Sequence, residues 1–266
     1  MTFSRTLAAA ALATGIAWAT PASALDLIGL TANNQLLMLS DSKPGAARSL
    51  DITGVDTKVL GIDIRPADLA LYAVTASGTI YTIDTRTGAA TRKSKISERL
   101  EAVDNLVVDF NPQADKLRVM ASNGQNLRVN VETGATVVDG RLSYDKGDAH
   151  AGKTPGVLAG AYINSYKGTK YTQLFDVDSK HGMYVVQDPP NDGVLKSVGP
   201  TGLAKGIMVE AIDIHTDIKD EYHGFAVARG TLYSFQVAKG AMSRIGKIAS
   251  PAGASVIDIA APVVNR

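Results

Sequence analysis

A four-part sequence unit recurs along this chain, and it constrains the fold more than any other feature. The unit begins with GIDIRP at Gly61, continues through LALYAVTASG and TIYTIDTRTG, and ends with AATRKSKI. Each part has the length of a strand, is rich in β-branched or aromatic residues, and is bounded by a glycine turn. The unit therefore predicts one antiparallel sheet of four strands.

The same order of parts recurs three more times further along the chain. These copies begin at Val107 with VVDFNP, at Leu158 with LAGAYIN and at Ala211 with AIDIHT, and the copy at Leu158 is the most diverged. A sheet of this composition has two apolar faces and cannot bury both of them alone. We therefore expect the sheets to stack on one another.

The two ends of the chain each supply part of a fifth unit. Segments from Asp26, Gln35 and Ala46 match the second, third and fourth strands of a unit, whereas VIDIAAP from Val256 matches a first strand. The pattern predicts an all-β, five-bladed β-propeller of four-stranded antiparallel blades, closed by the C-terminal strand joining the N-terminal blade. Closure of this kind removes exposed sheet edges. A β-sandwich would also explain many short strands, but not their ordered recurrence.

The first 24 residues, MTFSRTLAAAALATGIAWATPASA, have the features of a secretory signal peptide. One charge, Arg5, precedes an apolar run that is too short to span a membrane, and the segment ends with the small residues Ala22, Ser23 and Ala24. We expect cleavage before Leu25, a single β-propeller domain over residues 25–266, and a periplasmic or secreted location without stable membrane insertion.

Charge and cysteine content exclude several classes of protein. The chain has 27 basic and 26 acidic residues, and removal of Arg5 with the signal peptide would leave 26 of each. Long-range attraction to nucleic acid is not expected for such a chain. It contains no cysteine, so disulfides, thiolate metal sites and cysteine nucleophiles are excluded.

Several segments resemble the DUF4394 family of bacterial exported proteins, whose activity is unknown. The second full unit, DFNPQADKLRVMASNGQNLRVNVETGA, carries the resemblance most clearly. LIGLTANNQLL, GIDIRP, SYDKGDAHAG with the following TPGV, and QDPPNDGVLKSVG are similar to the family in the same order. Lys116 departs from the family, which often has arginine there. The resemblance implies an exported β-propeller-like protein and supplies no catalytic residues.

An aspartate recurs in the first strand of the units. The residues are Asp63, Asp109, Asp213 and Asp258, with Ala161 in the diverged unit. Four carboxylates around a central channel are candidate ligands for a divalent cation such as Ca²⁺, which prefers several carboxylate oxygens. The simpler interpretation is structural: each aspartate accepts hydrogen bonds from the backbone of the neighbouring blade.

Polar residues of the second full unit are candidates for a ligand-binding surface: Asn111, Asp115, Arg118, Gln125, Asn126 and Arg128. Arg118 and Arg128 lie on adjacent predicted strands. Since charges on adjacent strands usually pair, we expect them to contact Asp115 or Glu132. Alternatively, the two guanidinium groups would face an anionic ligand.

The longest polar connection between units runs from Asp139 to Gly156 and adds Asp148 and His150 to the ligand-surface candidates. Asp145, Asp148 and His150 are clustered in it, and oxygen ligands beside a glycine turn would suit Ca²⁺. The EF-hand pattern is missing, however. A solvated loop is therefore the simpler interpretation, and a metal or ligand loop is the alternative.

Histidines and known motifs do not identify an enzyme. His215 and His223 lie on the first two strands of one unit, and the other histidines, His150 and His181, lie in loops. Two histidines would ligate Zn²⁺ with a third ligand, but the sequence has no H-E-x-x-H, G-x-S-x-G or Walker-type motif. A zinc hydrolase, serine hydrolase or nucleotide enzyme is therefore disfavoured.

Three functions remain open from the sequence. The first is a non-enzymatic module of the cell envelope that binds a protein or a small ligand, which rests on the fold alone. The second is a metal-assisted hydrolase or lactonase-like enzyme, in which a cation on the channel aspartates polarises a substrate oxygen. The third is a purely structural envelope protein. Convergence of the four aspartates on one point would distinguish the second function from the others.

Overall fold

The computed structural model describes residues 24–101 and 104–266, which contain 21 β-strands and three short 3₁₀ turns. The first eleven strands are β1 (Asp26–Thr31), β2 (Gln35–Ser40), β3 (Arg48–Asp51), β4 (Val59–Ile64), β5 (Leu71–Thr75), β6 (Thr79–Ile83), β7 (Ala90–Lys95), β8 (Leu106–Asn111), β9 (Lys116–Ala121), β10 (Asn126–Val129) and β11 (Thr136–Val138).

The remaining strands are β12 (Ser143–Tyr144), β13 (Val157–Tyr162), β14 (Leu174–Asp178), β15 (Met183–Gln187), β16 (Val194–Pro200), β17 (Ala211–Thr216), β18 (Tyr222–Ala228), β19 (Thr231–Phe235), β20 (Met242–Lys247) and β21 (Val256–Ala260). The 3₁₀ turns are Pro44–Ala46, Pro190–Asp192 and Pro251–Gly253. The predicted signal peptide lies outside the described residues except for Ala24.

The strands form five sheets arranged as the blades of a ring, which confirms the predicted fold. Blade 1 has the order β21-β1-β2-β3, blade 2 is β4 to β7, blade 3 is β8 to β11, and blade 5 is β17 to β20. Blade 4 contains β13 to β16. The predicted closure is present, because β21 pairs antiparallel with β1 and places Ile259 opposite Gly29.

Blade 4 differs from the predicted four strands. Its order is β12-β16-β15-β14-β13, and the additional strand β12 pairs in parallel with β16, with Tyr144 opposite Leu195. β12 lies within the connection 139–156, whose simpler interpretation was a solvated loop. That interpretation is wrong at β12, because backbone pairing attaches this part of the connection to the edge of the blade, whereas most of the other residues of the connection are exposed.

The hydrophobic core is divided among the five gaps between adjacent blades. One cluster joins Leu60 and Tyr72 of blade 2 to Phe110 of blade 3, and a corresponding cluster occupies each of the other gaps. The first strands of the blades lie closest together at the centre. A Cβ atom at Gly61 would lie 2.4 Å from Cγ2 of Val108 in the next blade, so glycine permits this approach. Stacking of the blades therefore supplies the burial that each sheet lacks alone.

None of the helices within residues 24–101 and 104–266 is long and apolar enough to cross a membrane.

Candidate functional site

The four recurring aspartates connect neighbouring blades near the ring axis. Each accepts a hydrogen bond from a backbone N–H of the next blade. The four bonds are Ile62 N to Asp258 Oδ2 (2.8 Å), Phe110 N to Asp63 Oδ2 (2.7 Å), Tyr162 N to Asp109 Oδ1 (3.0 Å) and Ala261 N to Asp213 Oδ2 (2.5 Å). The inter-blade hydrogen bonds that the sequence predicts are thus present.

Three of the four aspartates also converge, which the structural interpretation alone does not require, whereas Asp258 is not part of this group. Asp63, Asp109 and Asp213 each place a carboxylate oxygen within 4.8 Å of the others. Burial raises the pKa of Asp213 to about 6. Burial, together with the charges of the neighbouring aspartates, raises the pKa values of Asp63 and Asp109 well above the usual range. The three carboxyl groups therefore interact and do not titrate independently.

A cation would fit this carboxylate cluster chemically, but a substrate would not reach it. The four aspartates are between 3% and 7% exposed, and each already accepts a backbone hydrogen bond. Blade 4 contributes no carboxylate to the ring, because Ala161 occupies the equivalent position. A cation held here would stabilise the ring and would lack access to an external substrate.

Three of the six ligand-surface candidates in blade 3 lie inside the protein. Arg118 is 1% exposed, Asn126 is 1% exposed and Gln125 is 5% exposed. Arg118 and Arg128 contact Asp139, at 2.5 and 2.7 Å, and not the expected Asp115 or Glu132. The expected pairing is wrong because Asp139, which directly follows β11, places its carboxylate against both guanidinium groups.

Arg118 connects blade 3 to blade 4. Its Nε donates to the Tyr162 hydroxyl at 3.2 Å, and its Nη2 donates to Asn191 Oδ1 at 2.9 Å. Nη1 donates to Asn126 Oδ1 at 2.8 Å. These hydrogen bonds occupy the guanidinium group with protein partners, so it does not face an external anion.

The other two blade 3 candidates also have structural contacts. Asn111 Oδ1 accepts the backbone N–H groups of Gln113 and Ala114, which closes the turn after β8. Asp115 pairs with Arg65 of blade 2 at 2.6 Å. Glu132 pairs with the same arginine at 2.6 Å. The acidic residues expected to pair within blade 3 therefore connect it to blade 2.

Asp148 and His150 lie close together at the edge of blade 4. Asp148 Oδ2 accepts the Ser197 backbone N–H at 2.6 Å, and its Oδ1 accepts the Ser197 hydroxyl at 2.9 Å. The His150 ring stacks on Tyr144 of β12, with ring centroids 5.2 Å apart. The His150 ring also lies 5.5 Å from the ring of His181.

His181, which the sequence analysis left in a loop without a role, is held by the buried residue Asp178. His181 Nδ1 lies 2.8 Å from Asp178 Oδ2, and Tyr144 donates to the same oxygen at 2.5 Å. Burial alone would raise the pKa of Asp178. Hydrogen bonds from Tyr144, His181 and Gly156 outweigh this effect and lower the pKa. The ionised carboxylate therefore fixes the orientation of both rings.

A basic pocket of about 500 Å³ opens beside these histidines. We call it the basic pocket because its charged lining residues are all cationic or imidazole groups: His150, Lys153, Lys180, His181 and Lys205. Its far wall is the connection from Pro200 to Ile207. Ser179 also lines it, but its hydroxyl is engaged with Val209 O and Val209 N, both at 3.0 Å.

Among these charged residues, sequence reasoning identified only His150 as a candidate for ligand binding. The lysines are spread over three connections, and spacing along the chain does not show that the connections meet. The segment HGM after β14 and the segment TGLAKGI after β16 carried no recognised motif.

A family model described as "Domain of unknown function (DUF4394)" matches residues 35–260. No curated protein matches the chain in sequence. A crystal structure of a protein of unknown function from Bacteroides thetaiotaomicron is similar over 90% of this chain, with a TM-score of 0.51 and 15% identity. This chain spans 65% of the length of that structure, and the likeness at this identity concerns the fold alone.

The selenomethionine crystal structure of virginiamycin B lyase from Staphylococcus aureus is similar over 85% of this chain and 71% of its own. The TM-score is 0.46 and the identity is 10%.

Proposed function

This chain belongs to the DUF4394 family, and we propose that it is an exported, non-enzymatic binding module that holds a small anionic ligand in the basic pocket. One observation supports the proposal most strongly: a pocket of about 500 Å³ is lined by three lysines and two histidines, with no aspartate or glutamate among its lining residues. A volume of this size suits a small molecule.

The charge of the lining selects an anion. Several cationic groups around one concave space repel one another, and a carboxylate or phosphate ligand would relieve that repulsion while accepting their hydrogen bonds. Lys153, Lys180 and Lys205 supply flexible point charges that suit either group. His181 is oriented by Asp178 through Nδ1, so its Nε2 is the ring nitrogen left to contact a ligand.

Binding agrees with the pocket better than catalysis does. Two residues of the lining carry a hydroxyl, Ser179 and Thr201. The Ser179 hydroxyl donates to Val209 O and accepts from Val209 N, and the Thr201 hydroxyl accepts the Leu203 N–H. The channel aspartates of the enzyme hypothesis are at most 7% exposed. A binding role needs only the shape and charge of the basic pocket.

Export is part of the same proposal and rests on residues 1–24, which combine Arg5, an apolar run and a small-residue cleavage site. Expression of the full chain in a Gram-negative host, followed by fractionation and N-terminal sequencing, tests it. Export predicts a periplasmic or secreted product that begins at Leu25. An uncleaved cytoplasmic product would contradict export and would leave the ligand proposal intact.

Cation binding at the channel is a second candidate function. It is favoured by the convergence of Asp63, Asp109 and Asp213 within 4.8 Å. Calcium accepts several carboxylate oxygens, and a bound ion would offset the repulsion among them. Because the cluster is buried, this cation would have a structural role.

Isothermal titration calorimetry with citrate and with inorganic phosphate tests the ligand proposal. The unmodified chain should bind at least one of the two, and Lys153→Ala/Lys180→Ala should weaken binding at least 10-fold. The matched control is Lys95→Ala/Lys247→Ala, which removes two exposed lysines outside the pocket and should retain the affinity. Equal weakening by both double variants, or no binding of either anion, would overturn the proposal.

A further inference from the structure

The hairpin between β17 and β18 brings two histidines and two carboxylates to one place on blade 5. The sequence is HTDIKDEYH, from His215 to His223. His215 and His223 are directly opposite in the antiparallel register, so both rings lie on the same face of the sheet. Their centroids are 5.8 Å apart.

The turn of the hairpin places acidic ligands beside the rings. Asp217, Glu221 and His223 each offer one ligand atom, and these atoms lie within 4.8 Å of one another. His223 Nε2 lies 3.5 Å from Asp217 Oδ2. Donor atoms around a tetrahedral zinc ion, with bonds of about 2.0–2.1 Å, are separated by about 3.3–3.5 Å, so the observed separation matches that geometry.

Asp217 is held in position by its other oxygen. Its Oδ1 accepts the backbone N–H groups of Lys219 and Glu221, at 2.8 and 2.9 Å. Oδ2 is therefore the oxygen directed at His223. The turn that fixes Asp217 also brings Glu221 back to the start of β18.

An independent contact prepares His215 for metal ligation. Its Nδ1 lies 2.6 Å from the carbonyl oxygen of Pro262. A carbonyl oxygen only accepts, so Nδ1 carries the hydrogen and Nε2 retains its lone pair. Metal-ligating histidines usually donate their other ring N–H in this way, which fixes the tautomer and the orientation of the ring. His215 is 6% exposed, and this contact holds it rigidly.

We propose that Asp217, Glu221 and His223 form a zinc site on the β17–β18 hairpin, with the His215 ring beside it. One imidazole and two carboxylate donors suit Zn²⁺. His215, whose ring centroid lies 5.8 Å from that of His223, lies outside this group and would become a fourth ligand when the exposed side chains shift towards it. The exposed side chains of Glu221 and His223 have room to complete the coordination.

The Arg266 guanidinium lies close to the site and opposes metal binding, but its charge is already compensated. Arg266 Nη1 donates to Asp220 Oδ1 at 2.7 Å, and its Nη2 donates to the carbonyl oxygen of Asp217. The guanidinium carbon also lies 4.1 Å from the centroid of the Tyr166 ring. Arg266 is therefore directed away from Asp217 Oδ2 and towards Asp220 and Tyr166.

The position of the site gives zinc a structural consequence. Pro262 follows β21, the strand that closes the ring, whereas the three ligands and His215 belong to blade 5. A metal that fixes His215 also fixes its bond to Pro262. Because zinc would bind the folded chain and not the unfolded ligand set, it should raise the melting temperature.

The test uses the untagged full chain, treated with EDTA and dialysed, with Zn²⁺ as the probe. Calorimetry should show one zinc per chain, and added zinc should raise the melting temperature by several degrees. His223→Ala, whose side chain is 43% exposed, should fold normally and bind zinc at least 10-fold more weakly. Lys219→Ala in the same turn is the matched control and should retain zinc binding.

His215→Ala/His223→Ala should abolish both binding and the thermal shift. If this double variant does not fold, His223→Gln with Glu221→Gln provides the same comparison through exposed side chains. Retention of one zinc per chain in these variants would overturn the proposal and would place the metal elsewhere, for example at His150 and His181. Absence of zinc binding by the unmodified chain would also overturn it.

Discussion

The effects of substituting Asp63 and Asp213 on the free energy of unfolding should be coupled. The sign of this coupling distinguishes mutual repulsion between the two carboxylates from a cation that they share. The experiment is a double-mutant cycle with Asp63→Ala, Asp213→Ala and the double variant. Removal of Asp63 leaves the Ile64 and Phe110 backbone N–H groups without the acceptors that now lie at 2.6 and 2.7 Å. A buried donor left unpaired costs about 1–3 kcal/mol, so these losses amount to roughly 2–6 kcal/mol.

Relief of repulsion opposes this cost. Carboxylate oxygens of Asp63 and Asp213 lie within 4.8 Å of one another, and two unit charges at that distance repel by about 3 kcal/mol at an effective dielectric constant of about 20. Each single variant gains this relief, but the double variant gains it only once. Without a cation, the double variant should therefore lose about 3 kcal/mol more than the sum of the single losses.

The repulsion should depend on pH. Burial raises the pKa of Asp213 to about 6, so this group is protonated at pH 5 and ionised at pH 9. Because the pKa of Asp63 is also raised well above its usual range, the coupling should be close to zero at pH 5 and should grow as the pH rises and both groups ionise. A group whose pKa is raised by folding stabilises the folded state below its unfolded pKa, and that contribution is lost as the pH rises through the folded pKa.

A bound cation would give the opposite sign. Each single variant would then lose the same ion, so the double variant would lose less than the sum, and EDTA would abolish the difference. Urea denaturation of the four proteins at pH 5 and pH 9, with and without EDTA, measures the coupling. A coupling free energy below about 0.5 kcal/mol at pH 9 would refute interaction among the aspartates. A double variant that loses less than the sum of the single losses, with a difference that EDTA abolishes, would establish cation binding by these aspartates.

Three further predictions concern stability. Deletion of residues 256–266 should lower the melting temperature by more than 10 °C or prevent folding, because it removes the buried side chains of Val256 and Ile259, each worth about 1.5–3 kcal/mol. Deletion of 264–266 is the control. Equal melting temperatures for the long deletion and the full chain would contradict closure by β21. Burial raises the pKa of Asp176 to about 8, so the stability that its protonated form contributes is lost as the pH rises from about 4 to 8. The Asp176→Asn variant should therefore gain stability relative to the unmodified chain across that range. Parallel pH profiles of the two melting temperatures would contradict this. Asp148→Ala should cost about 1–3 kcal/mol in urea denaturation, because the Ser197 backbone N–H loses its acceptor, and a neutral result would show that the connection is not attached there.

The fold was predictable because its information is local and recurs. Strand-length segments ended by glycine turns give the blades, and the split unit at Val256 gives the closure. The recurring aspartates were visible for the same reason, as was their bonding to adjacent blades. Their convergence was not, since sequence alone does not specify how far a side chain reaches into the channel. The family membership predicted from DFNPQADKLRVMASNGQNLRVNVETGA is confirmed by the match over residues 35–260.

Contacts between connections were not predictable. Nothing in the spacing of Arg118 and Arg128 indicates that Asp139 folds back onto both. The connection 139–156 is polar in sequence and resembles a solvated loop, but β12 pairs with β16. The basic pocket combines side chains from separate connections, so it exists only after blade 4 has formed.

Blade 4 departs from the repeated unit in several independent ways, and together they favour it as the functional part of the ring. It has Ala161 where the other blades have an aspartate, and it has an additional strand. Both oxygens of its buried Asp176 lack a hydrogen-bond partner in the part of the chain that the structure describes. Packing alone would favour the same residues in every blade, because each gap between blades poses the same problem. A blade that instead retains a costly buried carboxylate and carries the basic pocket at its edge agrees with the anion-binding role proposed above. Restoring the aspartate with Ala161→Asp should therefore alter the stability of the ring without changing anion affinity, and a loss of citrate or phosphate binding in a folded variant would connect the channel to the basic pocket.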